Sequence, residues 1–311
     1  MRVVFDGAAS PRLLALLSGV GHDVAICPPD QPAAKCAALL NADALWHSLA
    51  PVTARLLDGA PRLRLVQKIG TGVNTIDLDA ARARGVAVCN LPGSNAPAVA
   101  EHALLLMLAA LRRLPMLDRG LREGIWAAQG ADEWGELGGR TVGLVGFGAV
   151  AQHLARLLHG FGCTVLAAAR TPPTAGVERA MGMDALPELL AASDIVSLHL
   201  PLTSETHHLI DRAALVSMKP GAILVNTARG GLVDQAALRE ALASGRLAAA
   251  ALDVFDPEPI EPDEPLLRDA RVVATPHIAW QTPETWARSI HLAAENLRRL
   301  ESGETLLHRV V

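Results

Sequence analysis

Short apolar runs alternate with longer stretches whose apolar positions recur every three or four residues, and this rhythm continues along nearly the whole chain. Runs this short, bounded by Gly, Pro, Asn or Asp, read as buried strands, and the segments between them as helices. In the first part the strands are predicted at Arg2–Asp6, His22–Cys27, Asp43–His47, Arg64–Ile69 and Val86–Asn90. Pro11–Ser18 and Leu78–Arg84 are helices between them, the second ended by Gly85. Pro97–Leu114 differs, because it is apolar on nearly every face. A helix of that kind must be buried, either between domains or against a second subunit. Asn95 is placed to cap it, and Pro97 is acceptable in its first turn.

After a Trp- and Gly-rich stretch, Arg119–Gly139, a second series begins. Its strands are predicted at Thr141–Val145, Thr164–Ala169, Asp194–His199, Ala222–Asn226, Ala248–Leu252 and Val272–Thr275. Strand and helix in regular alternation indicate parallel α/β architecture. We therefore expect two Rossmann-like or flavodoxin-like domains, each a doubly wound parallel sheet, with the active site in the cleft between them. Residues 1–96 and 284–311 are assigned to a discontinuous substrate-binding domain, because the last helix, Glu284–Leu300, returns to the first domain. Residues 97–283 are assigned to the dinucleotide-binding domain.

Composition narrows the function classes. The 311 residues are 50% hydrophobic and 19% charged, which suits a globular chain with a large core. A net charge of −4 without a basic run gives no footing for nucleic acid. The apolar stretch Ala103–Leu111 is too short to cross a membrane, and MRVVFDG opens on a strand rather than a secretory signal. Cys27, Cys36, Cys89 and Cys163 form no CxxC pair and read as reduced thiols of a cytoplasmic protein. His207 and His208 are adjacent without a spaced partner, so solvent exposure is expected there and no metal site. His102 is expected to be a satisfied structural histidine.

Chemistry enters with TVGLVGFGAVAQHLARLLHG, which reads as a strand, a tight glycine turn and a helix. Gly146 permits the turn, Gly148 lets the backbone approach a pyrophosphate, and Ala151 takes the third fingerprint position. Ala149 and Val150 open the helix, whose N–H groups and positive dipole end would face the phosphates. NAD-binding versions carry an acidic residue about 20 residues further on. Here no acidic residue occurs between Gly146 and Glu178; Ala169 stands in its place, followed by Arg170 and Thr171. A carboxylate would repel the 2′-phosphate of NADP, whereas Arg170 can bind it. NADP(H) is accordingly the preferred cofactor, with NAD(H) the alternative.

Arg229 in NTARGG, Glu258 in DVFDPEP and His277 in TPHIAW each follow a predicted strand. Ligands bind beyond the carboxyl ends of such strands, so the three can converge. A guanidinium, a carboxylate and an imidazole suit a small anionic substrate that gains or loses a proton.

The segments GTGVNTIDLDAARARGVAVCNLPGSNAPAVAEHAL, GFGAVA, SLHLPLTSETHHLI, MKPGAILVNTARGGLVD, AAALDVFDPEP and TPHIA cover most of the chain. In these the chain resembles the D-isomer-specific 2-hydroxyacid dehydrogenases, which include glyoxylate/hydroxypyruvate reductases and phosphoglycerate dehydrogenases. The resemblance implies catalytic roles for Arg229, Glu258 and His277. Arg229 would hold the substrate's carboxylate and carbonyl oxygen. His277 would donate the proton as hydride arrives, and Glu258 would orient the imidazole and favour its charged form. It also implies that Asp253 bonds the nicotinamide amide, that Leu200, Pro201 and Thr206 wall the nucleotide pocket, and that Thr227 and Ala228 pass beneath the nicotinamide. Gly70, Thr71, Gly72 and Val73 would hold the substrate carboxylate through their N–H groups. Trp280, three residues after His277, is placed either to line the substrate pocket or only to pack.

LWHSLAP has no arginine where several phosphate-handling relatives carry one, which favours an unphosphorylated 2-keto acid such as glyoxylate or hydroxypyruvate. The alternatives are an NAD-dependent oxidation of the phosphoglycerate type and a dinucleotide-sensing, corepressor-like interaction protein. A homodimer is expected through Pro97–Leu114 and the Trp126/Trp134 stretch.

Overall fold

The structure, a computed structural model, describes residues 1–28, 30–126 and 135–311. The chain divides into two compact units, Met1–Asn95 with Gln281–Val311, and Ala96–Trp280. Each unit is built on a parallel sheet.

In the first unit the strands are β1 (Arg2–Asp6), β2 (Asp23–Cys27), β3 (Ala44–His47), β4 (Leu65–Lys68) and β5 (Ala87–Cys89). They lie in the order β2-β1-β3-β4-β5, and every pairing is parallel. This is the flavodoxin-like order. Helices pack on both faces, so β1, β3, β4 and β5 are buried almost throughout, which is why they read as continuous apolar runs. The helix Leu78–Ala83 starts on an Asp77 cap and is followed by Gly85 at φ 66°, a conformation that favours glycine. The last helix, Pro283–Ser302, buries Ile290, Ala293 and Leu297 in the core with Phe5 and Trp46.

The second unit holds β6 (Thr141–Val145), β7 (Thr164–Ala168), β8 (Arg179–Met181), β9 (Ile195–Leu198), β10 (Ala222–Asn226), β11 (Leu247–Leu252) and β12 (Val272–Ala274). The order is β12-β11-β10-β9-β6-β7-β8, all parallel. This is a doubly wound dinucleotide-binding sheet with an extra strand, and its direction reverses between β6 and β9.

Two expectations need correction. The sheet has seven strands rather than six, because β8 forms at its edge. Only Met181 of β8 is buried, so the strand leaves no apolar run in the sequence. The apolar helix spans Ala96–Leu111 instead of reaching Leu114. Arg113 turns left-handed at φ 48°, and a second helix, Leu114–Arg122, follows with Pro115 in its first turn. Proline lacks the N–H to continue the first helix and disfavours helical geometry before it. Ala96–Leu111 packs against the helix Ala149–Gly160 and against β10, β11 and β12. Leu106 and Met107 are fully buried there, whereas Leu105 is 53% exposed.

Candidate active site

The carboxyl edge of the second unit's sheet carries most of the predicted residues. Chain leaving β6 passes through Gly146 at φ 89°, where any Cβ would collide with the His199 carbonyl and Leu200. Glycine is therefore required by both conformation and space. Gly148 caps the helix Ala149–Gly160 without a side-chain bond, and the space its missing Cβ would fill is open. The first N–H groups of that helix, from Ala149 and Val150 onward, have no side-chain cap and point toward this space, at the positive end of the dipole. Ala151, fully buried, packs the helix onto the sheet. Thr227, at the end of β10, is buried with a hydroxyl that has no hydrogen-bond partner among the described residues. An open glycine turn, an uncapped helix start and an orphaned hydroxyl fit a dinucleotide.

Beyond β7 the backbone of Ala169 is buried and donates to the Met181 carbonyl at 3.1 Å. Arg170 and Thr171 are exposed, and Arg170 makes no ion pair among the described residues. The Thr206 hydroxyl donates to the Pro201 carbonyl at 2.8 Å and accepts the Thr203 N–H at 2.8 Å, so it staples the loop that follows Leu200.

Arg229 is set by a turn that Asn226 holds from below. The Asn226 amide accepts from the Ala228 N–H at 3.0 Å and donates to the Arg229 carbonyl at 2.8 Å. The next residue, Gly230, lies so close to the Phe255 carbonyl and the Asp256 N–H that no side chain fits. That contact brings the NTARGG turn against the DVFDPEP segment. Burial lowers the Arg229 pKa while neighbouring Glu258 raises it; an arginine with that neighbour stays charged.

Glu258 and His277 meet directly. The His277 Nδ1 lies 2.7 Å from Glu258 Oε2, and Glu258 Oε1 accepts the Phe255 N–H at 3.0 Å. Burial alone would raise the Glu258 pKa, but His277, the Phe255 N–H and Arg229 together hold it below its ordinary value. An ionised Glu258 makes Nδ1 the protonated nitrogen and leaves Nε2 for a substrate.

Asp253 fixes the backbone that presents His277. Its carbonyl accepts the His277 N–H at 2.8 Å, and its carboxylate takes the Thr275 hydroxyl at 2.6 Å and the Ile278 and Ala279 N–H groups at 2.9 and 3.0 Å. These bonds hold His277 at φ 53°, an uncommon conformation for a residue with a side chain. His102 completes the chain: its Nε2 lies 3.0 Å from the Thr275 hydroxyl. Burial lowers the His102 pKa against the pull of Asp253, so the ring is neutral and donates.

Asn226 and Thr275 are positioning residues that the sequence reading missed. An Asn at a strand end two residues before a turn is a recognised turn signal; Thr275 carries none, because its partners lie far away in sequence. Trp280 is half-buried at the end of this unit. His207 and His208 are exposed and stack on each other, and no group of three metal-ligating side chains occurs among the described residues.

In the first unit, Gly70, Thr71, Gly72 and Val73 follow β4. The Gly70 carbonyl accepts the Leu91 N–H at 2.8 Å, and the Thr71 carbonyl accepts the Asn90 amide at 2.8 Å. The four N–H groups of this loop make no hydrogen bond among the described residues.

The family model described as "D-isomer specific 2-hydroxyacid dehydrogenase, NAD binding domain" matches residues 104–279, more than half of the chain. The chain belongs to this family. Its second unit is thereby the family's nicotinamide-dinucleotide domain. The D-3-phosphoglycerate dehydrogenase of Mycobacterium bovis is 44% identical over 270 residues, covering 86% of this chain. The chain spans only about half (51%) of that relative's length. A glyoxylate reductase from Aeropyrum pernix is 39% identical, covering 97% of this chain and 93% of its own. Among solved structures, an NADPH-dependent glyoxylate/hydroxypyruvate reductase from Sinorhizobium meliloti, in complex with NADP and malonate, superposes with TM-score 0.85 at 32% identity, over 100% of this chain and 96% of that one. No helix among the described residues is long and apolar enough to cross a membrane.

Proposed function

We propose that this protein is an NADPH-preferring reductase of small 2-keto acids of the glyoxylate or hydroxypyruvate type, working reversibly as a D-2-hydroxyacid dehydrogenase. The observation that carries this reading is the Glu258–His277 hydrogen bond, which leaves Nε2 as the proton-exchanging atom, with half-buried Arg229 as the neighbouring charge on Glu258. The nicotinamide, when bound, supplies or accepts the hydride. Arg229 holds the substrate's carboxylate and carbonyl oxygen by paired charge-assisted bonds. His277 Nε2–H gives its proton to that oxygen, and Glu258 stabilises the ring in its charged form. Gly70, Thr71, Gly72 and Val73 are assigned to the carboxylate, for which their unpartnered N–H groups are suited. The glycine turn at Gly146 and Gly148, the helix start at Ala149 and Val150, the Leu200–Pro201 and Thr206 loop, Thr227, Ala228 and Asp253 are assigned to the dinucleotide, and Trp280 to the substrate wall.

Mixing the protein with NADPH and glyoxylate or hydroxypyruvate should lower absorbance at 340 nm; no decay with any 2-keto acid would count against the reading. The 2′-phosphate is assigned to Arg170, whose exposed guanidinium has no competing ion pair among the described residues. Arg170→Ala should raise the NADPH KM about tenfold or more and leave the NADH KM within twofold, since a charge-assisted bond contributes ~1.5–3 kcal/mol. Equal KM changes for both cofactors would remove Arg170 from this role.

A second reading, NAD-dependent oxidation of the phosphoglycerate type, is favoured by the 44% identity to the mycobacterial dehydrogenase. Faster turnover of NAD with 3-phosphoglycerate than of NADPH with glyoxylate would select it.

We assign the protein to the cytoplasm, which suits its four free thiols, and to a homodimer. Leu105, Leu114, Leu121, Ile125 and Trp126 are each at least 52% exposed on or beside the two helices after Asn95. Such apolar exposure marks an association surface. Trp134, the other tryptophan of the expected interface, lies outside the described residues. Sedimentation at micromolar concentration should give twice the 32.6 kDa chain mass; a monomer there would defeat this assignment.

A further inference from the structure

The first unit's sheet ends in a row of buried polar side chains that the reading above does not use. Cys27, Asp6, His47 and Lys68 are the last residues of β2, β1, β3 and β4, and the strand registers pair Asp6 with Cys27 and His47, and His47 with Lys68. Residues paired in this way share one face of a sheet. All four are buried, His47 completely.

Lys35 reaches into this row from the helix Pro32–Leu39, and its Nζ donates to Asp6 Oδ2 at 2.7 Å. His47 Nδ1 lies 3.7 Å from the same oxygen, within ion-pair range but beyond a hydrogen bond. On its other side, His47 Nε2 lies 2.9 Å from the Thr75 hydroxyl. Burial holds the His47 pKa down at about 4, against the upward pull of Asp6, so the ring is uncharged near neutrality. Facing a carboxylate, Nδ1 keeps the single ring proton, and Nε2 accepts from the Thr75 hydroxyl. Asp6 Oδ1 and His47 Nδ1 have no hydrogen-bond partner among the described residues. An apolar row would fill this position at less cost, so packing does not account for it.

The row acts on the loop beyond it. The Thr75 carbonyl accepts the Val52 N–H at 2.9 Å, and the Val73 carbonyl accepts the Ile76 N–H at 2.9 Å. The same loop is tied at its start through Gly70 and Thr71 to Leu91 and Asn90. Its unpartnered N–H groups are therefore held between two anchors, one of which is the Thr75 side chain on His47.

We infer that Asp6, His47 and Thr75 form a positioning chain that fixes the Gly70–Val73 N–H groups for a substrate carboxylate. The inference rests on the assignment of that loop in the preceding section. None of the three touches the reacting atoms; they act through the loop.

Thr75→Val keeps the side-chain shape and removes the hydroxyl. It should raise the keto-acid KM about five- to tenfold, the worth of one hydrogen bond, while kcat and the NADPH KM stay within twofold. Thr75→Ser should restore the KM. His47→Leu should raise the same KM, and adding Thr75→Val to it should add nothing further, because both break one link. An unchanged KM in Thr75→Val, a fall in kcat that Thr75→Ser does not rescue, or effects that multiply in the double variant would each overturn the chain. If the wild-type protein turns over no 2-keto acid, the functional reading fails by itself. Amide hydrogen exchange then decides the chain: faster exchange over residues 70–76 in Thr75→Val supports it, and unchanged exchange overturns it.

Discussion

Replacing His277 by alanine should lower kcat by about 10²–10⁴-fold while NADPH binding changes little. The His277 imidazole is aimed by the Glu258 carboxylate, and the residues assigned to the dinucleotide lie on other turns of the sheet edge. Stopped-flow binding of NADPH alongside steady-state rates checks both halves of this expectation. Near wild-type reduction in His277→Ala would mean that another group supplies the proton. The pair should also be robust to acid. Because Glu258 is held below its usual value of 4.5, its contribution is fully present above that pH and is lost only as pH falls through the lower folded value. Loss of the Glu258 charge should therefore not shape the rate profile in the neutral range.

Arg229→Ala should cost about 2–5 kcal/mol in kcat/KM, roughly 30- to 4,000-fold, because it leaves a desolvated substrate carboxylate without its paired charge. Arg229→Lys should recover only part of this, since an ammonium cannot reproduce the planar two-point contact. Removing the arginine also removes one of the charges that lower the Glu258 pKa, although burial and His277 weigh more there. Steady-state kinetics with hydroxypyruvate and oxamate inhibition would measure both effects. An unchanged inhibition constant in Arg229→Ala would separate Arg229 from carboxylate binding.

Much of this architecture is legible in the sequence, for physical reasons. A strand covered on both faces must be apolar throughout, so β1, β6 and β10 stand out with their observed bounds. Arg229, Glu258 and His277 stand out because each follows such a run. β8 does not, since an edge strand with Arg179 and Ala180 in solvent needs no apolar pattern. The break at Arg113 was masked by the apolar residues on either side of it, and Pro115 was the available signal. Asn226 carries a turn signal at its strand end, but Thr275 and Thr75 hold backbone through partners far away in sequence, so nothing in their sequence neighbourhood marks the segments they hold. The Asp6–His47–Lys68 row is least visible of all, because strands far apart in sequence become neighbours only when the sheet order is known.

In the proposed reaction hydride moves onto the carbonyl carbon of a 2-keto acid while His277 protonates the oxygen. The direct test is to reduce hydroxypyruvate with NADPH deuterated at the transferable C4 position, then separate the product by chiral chromatography and weigh it. The expected product is a D-configured 2-hydroxy acid carrying one deuterium at C2, absent in His277→Ala. An L-configured product, or product without deuterium, would contradict it.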